Sequence, residues 1–390
     1  MRLTTQSTTA DVLIIGAGIV GSALAESCAR RGLRVAILEK DIPAGGATAA
    51  GMGHLVVLDG NPAELALSND GLQRWRTRQS QMPGAAEYTA CGTLWVARSD
   101  AEMAEAERKR AQYAEHGLAS EVVGSQALHE LEPNLSPELP GALHVPNEAV
   151  IYPPVACHWL LQNAIALGAT LYRNTHVVTV EDDGGVLLAD GSVLRAERVV
   201  IAAGCQSVEL LPDLPLVPRK GQLVITERYP QFVRHQLVEL GYIQSAHDQS
   251  GDSVAFNVQP RATGQILIGS SRQYDDTSRE IDWPLLSKML ARAFLFAPGL
   301  ENLQGIRSWC GFRPATPDKL PLLGKAPGCE RIWLATGHEG LGITTALASA
   351  ELLAAMMAGE APSLDPGPYD PSRFVYVKPM RSTTPPKVMQ

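Results

Sequence analysis

An uninterrupted apolar run, Asp11-Val-Leu-Ile-Ile15, leads straight into Gly16-Ala17-Gly18-Ile19-Val20-Gly21 and then into a helical stretch that ends near Arg31-Gly32. A second apolar strand, Arg34 to Glu39, follows at once. Strand, glycine turn, helix and strand make a unit whose strands are buried on both faces, so the chain must contain a covered parallel sheet. Gly16 permits the tight turn, Gly18 lets backbone approach a pyrophosphate, and Gly21 lets helix and strand pack closely. The helix start offers N–H groups and a partial positive charge to two phosphates, and Glu39 can accept hydrogen bonds from adenosine ribose hydroxyls. A dinucleotide is the expected ligand, with a ligand-free packing turn as the alternative. The pattern itself does not separate FAD from NAD.

With 390 residues the chain exceeds one ordinary core, and two intertwined domains fit best. A composition of 45% hydrophobic and 19% charged residues excludes a disordered chain. A net charge of −8 with no Lys/Arg block excludes a phosphate-tracking nucleic-acid surface, which leaves small-molecule chemistry. The six cysteines contain no CxxC pair, which argues against a zinc or iron–sulfur site, so no metal is expected and they read as reduced core thiols. Met1 to Ala10 is polar and lacks the apolar stretch of a secretory signal, so a cytoplasmic location is expected. Leu341 to Ala358 is the longest apolar run, but it carries Thr344, Thr345, Ser349 and Glu351 and is short of a full crossing. It reads as a buried helix, without a strong membrane signal.

Helical patterns cover 62–80, 101–118, 155–167 and 284–296, and strands are expected at 92–97, 170–173, 176–180, 198–203, 222–226, 253–258, 265–269 and 331–336. Asp190-Gly191 marks a hairpin. The last strand runs through Gly337-His338-Glu339-Gly340-Leu341-Gly342-Ile343-Thr344 into the apolar helix, so two strand–glycine turn–helix units bracket the chain. The expected fold is α/β and α+β, with an FAD-type Rossmann domain from 10–84, 150–220 and 320–362. Residues 85–149 and 221–319 make an interleaved antiparallel-sheet substrate domain. A Pro-rich tail, 363–390, is not expected to form a regular element and can pack along a surface.

Further segments resemble the D-amino acid oxidase superfamily of flavoproteins, over roughly Asp11 to Gly359, and this likeness favours FAD in a glutathione-reductase-like fold. Lys40 and the small-residue segment Gly45 to Gly53, with Thr48, Ala49, Ala50, Gly51 and Met52, are similar to the stretch that runs beside the pyrophosphate and flavin. A plain flexible loop is the alternative. Val177 or Val178 resembles the valine whose backbone meets adenine, and Arg198 to Ala203-Gly204 the second FAD signature. Trp309-Cys-Gly311-Phe-Arg313-Pro-Ala-Thr-Pro-Asp318 is similar to the segment whose arginine grips the substrate carboxylate. A planar, permanently charged guanidinium suits that task, and a structural salt bridge is the alternative.

The resemblance implies that the final helix start, Gly340 to Thr344, points at the flavin pyrimidine edge and that His338 and Glu339 either reach the active site or are solvated. Tyr242 either lies over the substrate or is a half-buried strand residue. Members with covalent FAD carry Cys at the position of Gly311, so non-covalent FAD is expected. Glycine oxidases carry Arg at the position of Gly340, leaving Arg313 as the carboxylate ligand. The implied reaction is oxidation of the C–N bond of a small amino or imino acid by hydride transfer to flavin N5. Segments at 251–260, 269–273 and 311–318 are most similar to flavin subunits of D-hydroxyproline dehydrogenase and hydrogen cyanide synthase. D-hydroxyproline is therefore the preferred substrate, electrons pass to redox partner subunits or a carrier, and a second flavin, FMN, at a subunit interface is allowed. The alternatives are an oxygen-using glycine, sarcosine or D-amino acid oxidase, and an electron-relay subunit without its own substrate.

Overall fold

The structure, a computed structural model, describes residues 10–241 and 251–374. The first of two large sheets has eight strands. Its parallel spine runs β8 (Thr170–Arg173), β2 (Val35–Glu39), β1 (Ala10–Ile15), β11 (Val193–Ile201) and β18 (Ile332–Thr336). β17 (Leu322–Lys325) closes one edge antiparallel, and β9 (Val177–Val180) and β10 (Gly185–Leu188) extend from β11 as a ribbon. Alternate residues of β1 enter different cores: Val12 and Ile14 pack with α1 (Ile19–Arg30), whereas Leu13 and Ile15 pack on the opposite face. That two-sided burial is why the run Val12 to Ile15 carries no polar residue.

The second sheet also has eight strands, in the order β16 (Gly305–Ala315), β12 (Val217–Arg228), β15 (Gln265–Arg272), β14 (Ser253–Pro260), β13 (Gln236–Glu239), β4 (Thr93–Ala97), β6 (Gly141–Val145), β5 (Glu121–Gly124). It departs from the all-antiparallel expectation at one junction, because β13 and β4 pair in parallel. α8 (Trp283–Phe296) covers one face, with Phe296 stacked on Phe256 at 4.3 Å. A small ribbon of β3 (His54–Leu55) and β7 (Ala149–Val150) completes the strands.

α9 (Gly342–Ala358) lies against both α1 and α3 (Pro62–Arg78), and α6 (Pro153–Ala166) packs on α1. α2 (Ala47–Ala50) sits beside β16. α4 (Asp100–Glu115) and α5 (Ser125–Leu131) pack on β6, and α7 (Ser207–Leu210) packs near β9. The sequence pattern understates both sheets. β12 is twelve residues long, β11 begins well before Arg198, and β5, β6 and β16 were not anticipated as strands. In β16, Gly311 and Pro314 disguise an edge strand, where proline is tolerated because the N–H it lacks would face away from the ladder. Of the cysteines only Cys28 and Cys157 are core residues; Cys91, Cys205, Cys310 and Cys329 are partly exposed, and none forms a disulfide. The apolar helix α9 is buried along most of its length, and among the described residues no helix is long and apolar enough to cross a membrane. The described part of the tail packs on the body, where Tyr369 is buried and its hydroxyl donates to Ala63 O.

Candidate functional site

A cavity of about 430 Å³ opens between the two sheets, and the starts of both α1 and α9 line it. Gly16 adopts φ +107°, and a Cβ there would lie 2.6 Å from Ala202 O. A Cβ on Gly21 would stand 2.1 Å from Gly16 O, so the helix can seat this close to the turn only with glycine at that position. Glu39 ties the turn to β2: Ala17 N donates to its Oε2 and Asp41 N to its Oε1, each at 2.8 Å. Thr48 Oγ1 accepts from Ile19 N at 3.1 Å and fixes α2 over the helix start. Neither α1 nor α9 has an acidic residue in its first turn or a side chain on its own cap, so both starts keep their positive end toward the cavity.

The β12–β16 register builds the other end of the cavity. Arg219 is opposite Arg313 and Gly221 opposite Gly311, so Gly221 and Arg313 are diagonal neighbours on one face. A Cβ on Gly221 would be 2.4 Å from Arg313 Nη1, which means that the guanidinium lies flat on this glycine. Arg313 Nη1 also donates to Ser271 O at 3.1 Å. Likewise a Cβ on Gly311 would sit 2.3 Å from Ala50 Cβ, and one on Gly51 2.9 Å from Ile343 Cδ1. Absent side chains thus shape the whole wall.

Glycines 16, 18, 51, 53, 204, 311, 340 and 342 line the cavity, as do Ile19, Val20, Glu39, Lys40, Thr48, Ala50, Met52, Val177, Ala203, Arg313, His338, Glu339 and Ile343. Others do not. Ala17 and Gly21 act behind the turn, Ala49 is exposed, and Leu341 only caps α9. Val178 is 48% exposed, because it points away on a strand whose neighbour Val177 points in. Thr344 is buried and bridges elements, its Oγ1 donating to His54 O at 3.0 Å and accepting from Val56 N at 3.3 Å. His338 is not solvated: it is buried, its Nε2 lies 3.0 Å from Ser349 Oγ, and burial pulls its pKa down to about 4. Glu339, at φ 47°, is paired with the Arg219 guanidinium, which rests on the Tyr274 ring. Tyr242 lies outside the described residues.

Several cavity residues escaped the sequence reading: His54, Gly221, Leu223, Asn257, Ser270 and Arg279. His54 follows Gly53 directly, so the small-residue segment pointed at it. Gly221 carries no local signal, since its reason is a guanidinium from another strand.

The model of a family described as DAO, FAD dependent oxidoreductase, matches residues 11–356. A glycine oxidase of Pseudomonas aeruginosa is 29% identical over 380 residues, spanning 93% of this chain and 98% of the relative. Hydrogen cyanide synthase subunit HcnC of the same organism is 27% identical, spanning 94% and 96%. Among solved structures, glycine oxidase from Geobacillus kaustophilus superposes with a TM-score of 0.83 at 24% identity, covering 94% of this chain and 99% of that one. L-proline dehydrogenase from P. horikoshii superposes with a TM-score of 0.85 at 21% identity, covering 94% and 98%. Those structural likenesses speak for the fold.

Proposed function

The chain belongs to the DAO family of FAD-dependent oxidoreductases, and from that premise we propose that it oxidises the carbon–nitrogen bond of a small amino or imino acid. D-hydroxyproline is the preferred substrate in this reading, and a partner subunit or diffusible carrier takes the electrons. The residues present fit FAD: a Cβ-intolerant turn, two helix starts without first-turn acids and a wall of small residues border one cavity. Gly16, Gly18, Ile19, Val20 and Thr48 would hold the pyrophosphate, Glu39 the adenosine ribose, and Val177, Ala203 and Gly204 the adenine side. Gly340, Gly342 and Ile343 would border the isoalloxazine. Bound FAD supplies a two-electron hydride acceptor at its N5 position.

Arg313 carries the functional reading. Its guanidinium, fixed on Gly221 and Ser271 O at the cavity end, would take the substrate carboxylate by paired charge-assisted hydrogen bonds and so set the direction of the Cα–H bond. The protein's contribution is orientation and exclusion of water, and no general base is required of it. Arg219 neutralises Glu339, so the carboxylate of Glu339 would shape the wall without attracting a second cation.

Anaerobic mixing of the purified holoprotein with a panel of amino and imino acids tests this. Flavin absorbance should bleach with D-hydroxyproline in the wild type, and the kcat/KM of R313A should fall by about ten- to hundred-fold. No bleaching with any member would overturn it, and an R313A variant that still relays electrons unimpaired would favour the relay subunit. Relatives named as glycine oxidases favour a second reading, an oxidase of glycine. Rapid peroxide release from the chain alone, with glycine as the best substrate, would select it.

A further inference from the structure

One wall of the same cavity carries polar groups to which no role has yet been given. His54 on β3, Asn257 on β14 and Ser270 on β15 all line it. The Asn257 amide is oriented by His54, with Nδ2 3.1 Å from His54 Nε2. That arrangement leaves Asn257 Oδ1 without a hydrogen-bond partner, and Ser270 Oγ has none either, although both residues are more than nine-tenths buried. Buried polar atoms in native proteins are ordinarily paired, and unpaired ones beside a cavity mark the contacts that a ligand completes.

The charges nearby limit what that ligand group can be. Arg313 and Arg279 line the same cavity as cations, and the carboxylate of Glu339 is already taken by Arg219. Burial, and in smaller part the Arg313 charge, pulls the His54 pKa down to about 4, so the imidazole is neutral at ordinary pH. Among the described residues at this wall, a cationic group would meet Arg313, Arg279 and a Glu339 already paired with Arg219, and a second anion would compete for Arg313. An uncharged group able both to donate and to accept is what remains. A hydroxyl can donate to Asn257 Oδ1 and accept from Ser270 O–H.

We propose that Asn257 and Ser270, with His54 orienting the amide, form a specificity-determining subsite for an uncharged hydroxyl on the substrate. This rests on the amino/imino acid reading and deepens it: the chain selects hydroxylated members of that class over their unhydroxylated counterparts.

The experiment compares kcat/KM for matched pairs, D-hydroxyproline with D-proline and D-serine with D-alanine, in the wild-type holoprotein and in the S270A and N257L variants. S270A removes one hydroxyl with almost no change of volume, and flavin content reports whether each variant has folded. The wild type should prefer the hydroxylated partner of at least one pair. That preference ratio should fall by roughly ten-fold in each variant, the value of one neutral hydrogen bond. A ratio that stays the same in both flavin-loaded variants, whatever happens to the separate rates, overturns the subsite, as does a wild type with no preference in either pair. Absence of flavin bleaching with every amino and imino acid overturns the reading beneath it, and the subsite falls with it.

Discussion

Arg313 and Gly221 act as one device. The guanidinium lies where a Cβ on Gly221 would stand, 2.4 Å from Nη1, and Ser271 O holds its edge. Gly221→Ala should therefore displace the guanidinium and raise KM for a carboxylate substrate by about ten-fold, the effect of one lost charge-assisted hydrogen bond, with FAD content unchanged. Steady-state kinetics beside a flavin absorbance reading checks this; an unchanged KM would mean that the guanidinium does not hold the carboxylate. Arg313 itself was legible, because its surrounding segment resembles a known pattern. Gly221 was not, since nothing in its own neighbourhood requires a glycine, and neither were Asn257 and Ser270, whose burial is tertiary. Of the two adjacent valines, the strand period puts the side chain of Val177 alone on the cavity side.

At the scale of elements, the seating of α1 on the turn after β1 tolerates no side chain. A Cβ at residue 21 would come within 2.1 Å of Gly16 O, so Gly21→Ala must lift the helix start. Overpacking of this kind costs about 1–3 kcal/mol, and here the loss should appear both in thermal stability and as FAD affinity weakened by roughly ten-fold or more. Differential scanning and equilibrium FAD titration of the apoprotein measure the two. The β1–α1–β2 unit was legible because its apolar run, glycines and acid all belong to one local pattern. The edge strand β16 was not. Its Gly311 makes room for Ala50, and Pro314 sits opposite Pro218 in the ladder, so tertiary contacts override its composition.

For the whole molecule, Glu148, His54 and His338 tie stability to pH. Burial pushes Glu148 up to about 8 from an ordinary 4.5, against hydrogen bonds from Thr93, Val57 N and Trp95. Its contribution is fully present below the unfolded value and is lost as pH rises through about 8. His54 and His338, pulled down to about 4 from 6.5, contribute stability that is present above 6.5 and is lost as pH falls toward 4. Melting temperature against pH should therefore pass through a maximum near 6.5, rising up to it as the histidines contribute and falling from there to about 8 as Glu148 is lost, and Glu148→Gln should flatten that alkaline limb. An alkaline limb unchanged in Glu148→Gln would remove Glu148 from this role. The two-sheet plan was legible as a pair of glycine-turn units bracketing the chain, whereas the parallel β13–β4 junction, a pairing of segments remote in sequence, left no local mark. Because the cavity is built from both sheets, one bound nucleotide should stabilise them in a single transition. The most direct test of the account is to titrate the FAD-loaded protein with pyrrole-2-carboxylate, a cyclic acid that cannot be oxidised in this way, while following the flavin spectrum. The wild type should show a saturable perturbation that Arg313→Ala loses at equal flavin content. A purified, folded chain that takes up no FAD, or an Arg313→Ala variant that binds the acid as tightly as the wild type, would contradict it.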